Sequence, residues 1–110
     1  MLQQILQINF LFNVTPAEYE KACALVADHF SHLPGLQWKI WLMNENKKEA
    51  GGIYLFENAD AVARYRRSGL MKGLESNPII TQISVKQFSI IEKPGLVTHA
   101  PVSGQVSSLN

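Results

Sequence analysis

One lysine in this chain stands between two tryptophans, in the run Trp38-Lys39-Ile40-Trp41, and Tyr54 and Phe56 follow a short loop later. An amine enclosed by aromatic rings loses hydration, which disfavours its charged form. Lys39 is therefore a candidate base or, if charged, a candidate anion holder. Trp41 and Tyr54 bring an indole N–H and a phenol O–H, donors that an apolar wall can offer to a bound aromatic ring. Lys39, Trp41 and Tyr54 are thus the candidate catalytic residues. Gln7 and Asn9, on an early strand, are candidate polar anchors for a substrate, and Phe56 a candidate wall behind it. A plainer reading stands beside each. The aromatic rings can be core packing with hydrogen-bonded tips, and Lys39 can snorkel to the rim or pair with Glu49 across the hairpin.

Other chemistries lack their residues. There is no nucleotide-binding loop, zinc-ligand spacing or nucleophile elbow. His29 and His32 fall at the end of a helix and His99 near the C-terminus, positions that suit structural or solvated histidines. No metal or other cofactor is expected. Arg64, Arg66, Arg67 and Lys72 form the basic cluster. It reads as a solvated helix face or as an anion-attracting rim, and it lacks the aromatic platform of a nucleic-acid binder. Cys23 falls on an apolar helical stripe and reads as a small buried hydrophobe.

The elements that must position these residues follow from periodicity. Residues 2 to 12 alternate as a strand, with Leu6, Ile8, Phe10 and Phe12 on one face and Gln7 and Asn9 on the other. Thr15-Pro16-Ala17-Glu18 opens a helix with an N-cap, a proline at the first position and a capping box. Tyr19, Ala22, Cys23, Val26 and Phe30 make its core stripe, and Leu33-Pro34-Gly35 ends it. Leu36 to Phe56 is a β-hairpin around the loop Asn44 to Lys48. Lys39 and Trp41 share a face of its first strand, and Tyr54 and Phe56 share a face of its second. Asn58 caps a second helix that breaks near Gly69, and Leu70 to Ser76 forms a further piece. Ile79 to Ile91 is the last strand, with a change of phase that predicts a β-bulge near Lys86-Gln87.

The order β-α-β-β-α-β is the split βαβ of a ferredoxin-like α+β fold, a four-stranded antiparallel sheet with two helices on one face. The domain spans residues 1–91, and 92–110 read as a C-terminal tail that packs on a partner subunit or is disordered. The second sheet face is expected to present Gln7, Asn9, Lys39, Trp41, Tyr54, Gln82 and Ser84. Such a face is too apolar for water and too polar for a simple core. Dimerisation through it would cover it and enclose a partly polar cavity.

The run WKIWxxxENKKEAGGIYLF resembles the WK-[IV]-W…EAGGIYLF signature of the YdhR-like monooxygenases, members of the dimeric α/β-barrel superfamily of ferredoxin-like proteins. The opening QINFLFN extends the likeness over residues 1 to about 91. The resemblance implies a homodimer with one ligand cavity per subunit and a monooxygenase-type activity like that of cofactor-free oxygenases. The ligand would be a small aromatic or polyketide-like molecule. Haem-degrading relatives in the superfamily carry a histidine on the second helix as iron ligand, and Arg64, Tyr65, Arg66 and Arg67 stand there instead. The alternatives are a lyase or isomerase of the same fold, or a non-catalytic small-molecule-binding or stress-response module, since fold alone does not choose.

Composition agrees with these bounds. The 110 residues are 46% hydrophobic and 17% charged, with a net charge of +1, which suits one soluble domain and no nucleic-acid partner. The opening residues lack the basic start of a signal peptide, and no apolar run reaches membrane-spanning length. With a single cysteine, the expected location is the reducing cytoplasm. Light scattering at micromolar concentration is expected to report a homodimer, and a stable monomer would overturn that reading of the second sheet face.

Overall fold

The computed structural model describes residues 2–102. The chain runs β1 (Gln4–Phe12), α1 (Pro16–Ser31), β2 (Leu36–Asn44), β3 (Glu49–Phe56), α2 (Ala59–Arg66), α3 (Gly69–Ser76), β4 (Ile80–Ser89) and α4 (Glu92–Val97). Local chemistry starts each helix of the core. Thr15 Oγ1 accepts the Glu18 amide at 3.1 Å while the Thr15 amide donates to Glu18 Oε1 at 3.0 Å, a complete capping box with Pro16 at the first position. Asn58 Oδ1 accepts the Ala61 amide at 2.9 Å, and Ser68 Oγ accepts the Met71 amide at 3.3 Å.

The strands form one antiparallel sheet in the order β2-β3-β1-β4, the ferredoxin-like α+β topology. α1, α2 and α3 cover one face. There Leu6, Ile8, Phe10 and Phe12 of β1 pack with Tyr19 and Phe30 of α1, Val62 and Tyr65 of α2, Met71 of α3 and Ile80 of β4.

Register decides which face of the hairpin meets these helices. Lys39 pairs with Tyr54, and Tyr54 with Leu6; Trp41 pairs with Gly52, and Gly52 with Ile8. Partners across a ladder share a face, so Lys39, Trp41, Tyr54 and Phe56 lie on the helix side. Gln7 and Asn9, one step out of phase on β1, lie on the opposite side. Lys39, Trp41 and Tyr54 therefore do not share an open face with Gln7, Asn9 and Ser84, as the alternation alone suggests. Alternation gives each strand two faces, and the join to β1 matches the aromatic face of the hairpin to the apolar face of β1.

Two further features differ from the periodic reading. The irregularity of β4 lies opposite Asn9/Leu11, where Gln82 takes φ 53°, rather than near Lys86-Gln87. It turns Ile83 and Val85 toward the helices while Thr81, Ser84 and Phe88 face the other way. Beyond residue 91, α4 and the turn after it lead back to the sheet: the Trp38 indole donates to the Pro101 carbonyl at 2.8 Å, and Val102 is buried. Within this segment α4 buries no side chain, and Pro101 and Val102 make the contact with the chain's own sheet; residues 103–110 lie outside the described residues. The rest of that face keeps Ile40 and Phe88 each 47% exposed.

Gly51 of β3 faces Asn9 of β1 with no room for a side chain. Its φ is 152°, and a Cβ there would sit 1.9 Å from the Ile8 carbonyl oxygen. Gly51→Ala is expected to lower stability by about 3 kcal/mol through backbone strain and overpacking, read as a fall in the denaturant midpoint at unchanged slope.

Candidate functional site

β2 is an edge strand, and its helix-side residues reach past the sheet to the end of α1. Gly52 lies under the stem of Lys39: a Cβ there would stand 2.9 Å from Lys39 Cε. With no side chain in the way, the amine turns inward. Its Nζ lies 3.4 Å from the Trp41 ring centroid, 3.7 Å from Phe30 and 4.7 Å from Tyr54. Phe30, in the last turn of α1, meets Trp41 edge-on at 5.5 Å and approaches Tyr54 and Tyr65 at 6.0 Å each. Behind them Phe56 stacks with Tyr54 at 6.1 Å and lies 5.7 Å from Tyr65.

Burial drives Lys39 from its ordinary value of 10.5 down to about 7, with the neighbouring Cys23 pulling weakly the other way. The three ring faces also attract the cation, by about 0.5–2 kcal/mol each, and so oppose the shift without supplying a counter-charge. Among the described residues no carboxylate pairs with Lys39; the ion pair found is His32 with Asp28. Glu49 sits opposite Asn44, at the far end of the hairpin from Lys39. The tyrosines move the opposite way. Burial raises Tyr54 and Tyr65, and Tyr65 Oη donates to Tyr54 Oη at 3.4 Å. Tyr19 is raised by burial and by its hydrogen bond with Cys23. All three stay neutral O–H groups at physiological pH, beside an amine that exchanges its proton there.

These residues line a cavity of about 320 Å³ between the sheet and helices α1 and α3. Lys39, Trp41 and Tyr54 form its sheet wall, and Tyr19, Cys23 and Phe30 its α1 wall. The α3 side is made by Gly69, Leu70, Gly73 and Leu74, with Asn77 beyond. A Cβ added at Gly69 or Gly73 would meet nothing within 4 Å, so at these two positions the wall is bare backbone between the side chains of Leu70 and Leu74. The volume equals that of roughly ten water molecules at about 30 Å³ each, space for a one- or two-ring aromatic molecule. A second hollow of about 330 Å³, between the end of α1 and the start of β2, shares Phe30, Lys39 and Trp41 with it.

Three of the six residues singled out from sequence therefore line the cavity: Lys39, Trp41 and Tyr54. Phe56 is fully buried behind Tyr54, outside the lining. Gln7 and Asn9 lie on the opposite face, where Gln7 Nε2 donates to Asn9 Oδ1 at 3.0 Å. The cavity is accordingly on the helix side of the sheet, not on its open face. The sequence reading placed Phe30 on the core stripe of α1 and gave Tyr65 and α3 no role in the site. A signal was present for both. The helical stripes carry aromatic residues that match the aromatic face of the hairpin, and two glycines four apart in a helix cost stability without a packing reason. Among the described residues, no group of three His, Cys, Asp or Glu side chains is placed to hold a metal ion.

Residues 5–101 match the model of a family described as "Putative mono-oxygenase ydhR". No curated protein matches the chain. Among solved structures, the cofactor-independent oxygenase SnoaB from Streptomyces nogalater is similar at TM-score 0.68 and 18% identity, over 84% of this chain and 97% of that one. The monooxygenase from the gene ActVA-Orf6 of Streptomyces coelicolor, in complex with nanaomycin D, gives TM-score 0.62 and 15% identity over 81% and 88%. The heme-degrader MhuD from Mycobacterium tuberculosis, with two hemes in its active site, gives 0.62 and 18% over 79% and 95%. At these identities the structures share the fold. Among the described residues no helix is long and apolar enough to cross a membrane.

The depressed Lys39 makes stability depend on pH in a definite sense. Unfolded, the lysine binds its proton up to about pH 10.4; folded, it holds it only to about 7. Between these values the unfolded state binds more protons, so stability rises with pH, and below about 7 the cost is fully in force. That cost is at most about 5 kcal/mol. Above about pH 10 the buried tyrosines act in the opposite sense, because only the unfolded chain ionises them. Lys39→Met is expected to be more stable than the parent at pH 6–7, with the gap narrowing to about a quarter by pH 9.5, as measured by thermal unfolding at each pH.

Proposed function

The chain belongs to the YdhR family of mono-oxygenases, and we propose that it oxygenates a small phenol- or enol-bearing aromatic molecule of polyketide type, without metal or flavin. The observation that carries this reading is the amine of Lys39, driven toward neutrality inside an apolar aromatic cavity and flanked by protonated tyrosines. Oxygenation without a cofactor needs a substrate that can itself reduce O₂, hence a phenolate or enolate. The protein must supply a proton acceptor, an apolar slot, and donors where anionic charge develops.

Each need has a residue. Lys39 takes the substrate O–H proton and, once charged, holds the resulting oxyanion. The electron-rich anion passes one electron to O₂, and the radical pair recombines at the ring carbon as a peroxide. Tyr54 and the Trp41 indole N–H are the donors for the peroxide oxygens. Cleavage of the O–O bond, with loss of the C–H proton, leaves a carbonyl on the ring and releases the distal oxygen as water. The two hydrogens and four electrons come from the substrate, so no external reductant enters. Phe56 and Phe30 keep the rings of the slot in place. Gln7 and Asn9 take no part in this cavity. They belong to the face with Ile40 and Phe88, through which the chain would pair as a homodimer.

Oxygen uptake with a panel of electron-rich phenols and anthrones tests the proposal. Consumption with at least one of them is expected, and Lys39→Met is expected to lower turnover by about 10²-fold or more, the typical share of a general base. Undiminished turnover in that variant would place the chemistry elsewhere. A ligand-induced shift in tryptophan fluorescence without oxygen consumption would instead identify a small-molecule-binding module of the same fold.

A further inference from the structure

We propose that Lys39 also captures carbonyl compounds, an aromatic aldehyde or ketone that enters the cavity condensing with its side-chain amine to a Schiff base. Imine formation asks three things of a lysine: a free lone pair, room for a carbonyl carbon beside it, and no carboxylate that fixes it as an ammonium. Lys39 lines the cavity. Among the described residues no acidic group pairs with it, and its neighbours at Nζ are ring faces. Gly52 lets the stem lie flat, so the amine points along the sheet into this enclosure instead of out to the rim. Burial adds to the geometry by leaving much of the amine unprotonated near neutral pH.

The step balances without any redox partner. The nitrogen lone pair adds to the carbonyl carbon, the carbonyl π electrons move to oxygen, and a nitrogen proton transfers to that oxygen. The hydroxyl then leaves as water with a second proton, and the C=N bond forms. Tyr54, whose ring centroid lies 4.7 Å from Nζ, brings a neutral O–H that hydrogen-bonds the carbonyl oxygen and relays the second nitrogen proton to the departing hydroxyl, so that the phenol ends the step as it began. The protonated imine is an electron sink for a C–H or C–C bond α to it. The activity class is therefore enolisation or aldol-type cleavage, distinct from oxygenation. This chemistry does not rest on the oxygenase reading, and an enzyme that takes up no oxygen could still perform it.

The test uses the full chain, 1-naphthaldehyde and sodium cyanoborohydride near pH 7, followed by proteolysis and peptide mass spectrometry. The other lysines, Lys21, Lys47, Lys48, Lys72, Lys86 and Lys93, are all exposed and serve as internal controls. Reductive alkylation of Lys39 is expected to run at least about tenfold faster than at any of them, reflecting its larger neutral fraction. 1-Naphthol, a two-ring phenol within the cavity's volume of about 320 Å³, is expected to slow labelling at Lys39 alone. Equal or slower labelling at Lys39, or fast labelling that 1-naphthol leaves untouched, would overturn the proposal. Because all seven lysines are compared within one wild-type molecule, the comparison does not depend on a Lys39 variant that folds.

Discussion

An amine held against three ring faces, with no counter-charge, is the constraint on which this site depends. It requires three separate parts of the chain to agree. β2 must present Lys39 and Trp41 toward the helices, β3 must leave Gly52 bare beneath the lysine stem, and α1 must end so that Phe30 closes over Nζ. Desolvation weakens the hold on the proton, while ring quadrupoles favour the cation. The result is an amine balanced between its two protonation states near neutral pH.

The two faces of the sheet divide the work. The helix side carries the aromatic cluster and the cavity. The other side is covered at one end by the chain's own C-terminal segment, where Pro101 accepts from Trp38. The two tryptophans, three positions apart in sequence, therefore serve different ends: Trp41 faces the cavity, and Trp38 anchors a segment more than sixty residues away.

Much of the fold was legible because its signals are local. The capping box at Thr15 and Glu18, the cap at Asn58 and the hairpin around residues 44–48 each lie within a few residues, and each is present. What was not legible depends on pairing between distant segments. Alternation in β2 separates Lys39 and Trp41 from Ile40 and Leu42, yet it cannot say which pair meets the helices. That depends on Tyr54 lying opposite Leu6, a relation between residues almost fifty positions apart. The site was half legible for the same reason. Lys39, Trp41 and Tyr54 announce themselves by type, while Gln7 and Asn9 were joined to them by composition alone. The bulge shows the same limit: the pattern of β4 reveals a slip, and the partner strand decides that it occurs at Gln82.

The α3 wall couples the cavity's capacity to the protein's robustness. Gly73, inside the helix, weakens it by about 1 kcal/mol relative to alanine, and it leaves open space where a methyl group would fit. An alanine acquired there would firm up the helix and narrow the chamber in one stroke. Room for a larger guest and resistance to unfolding are thus set at that position in opposite directions. A chain of this fold can retune what it admits there without disturbing the lysine or its rings.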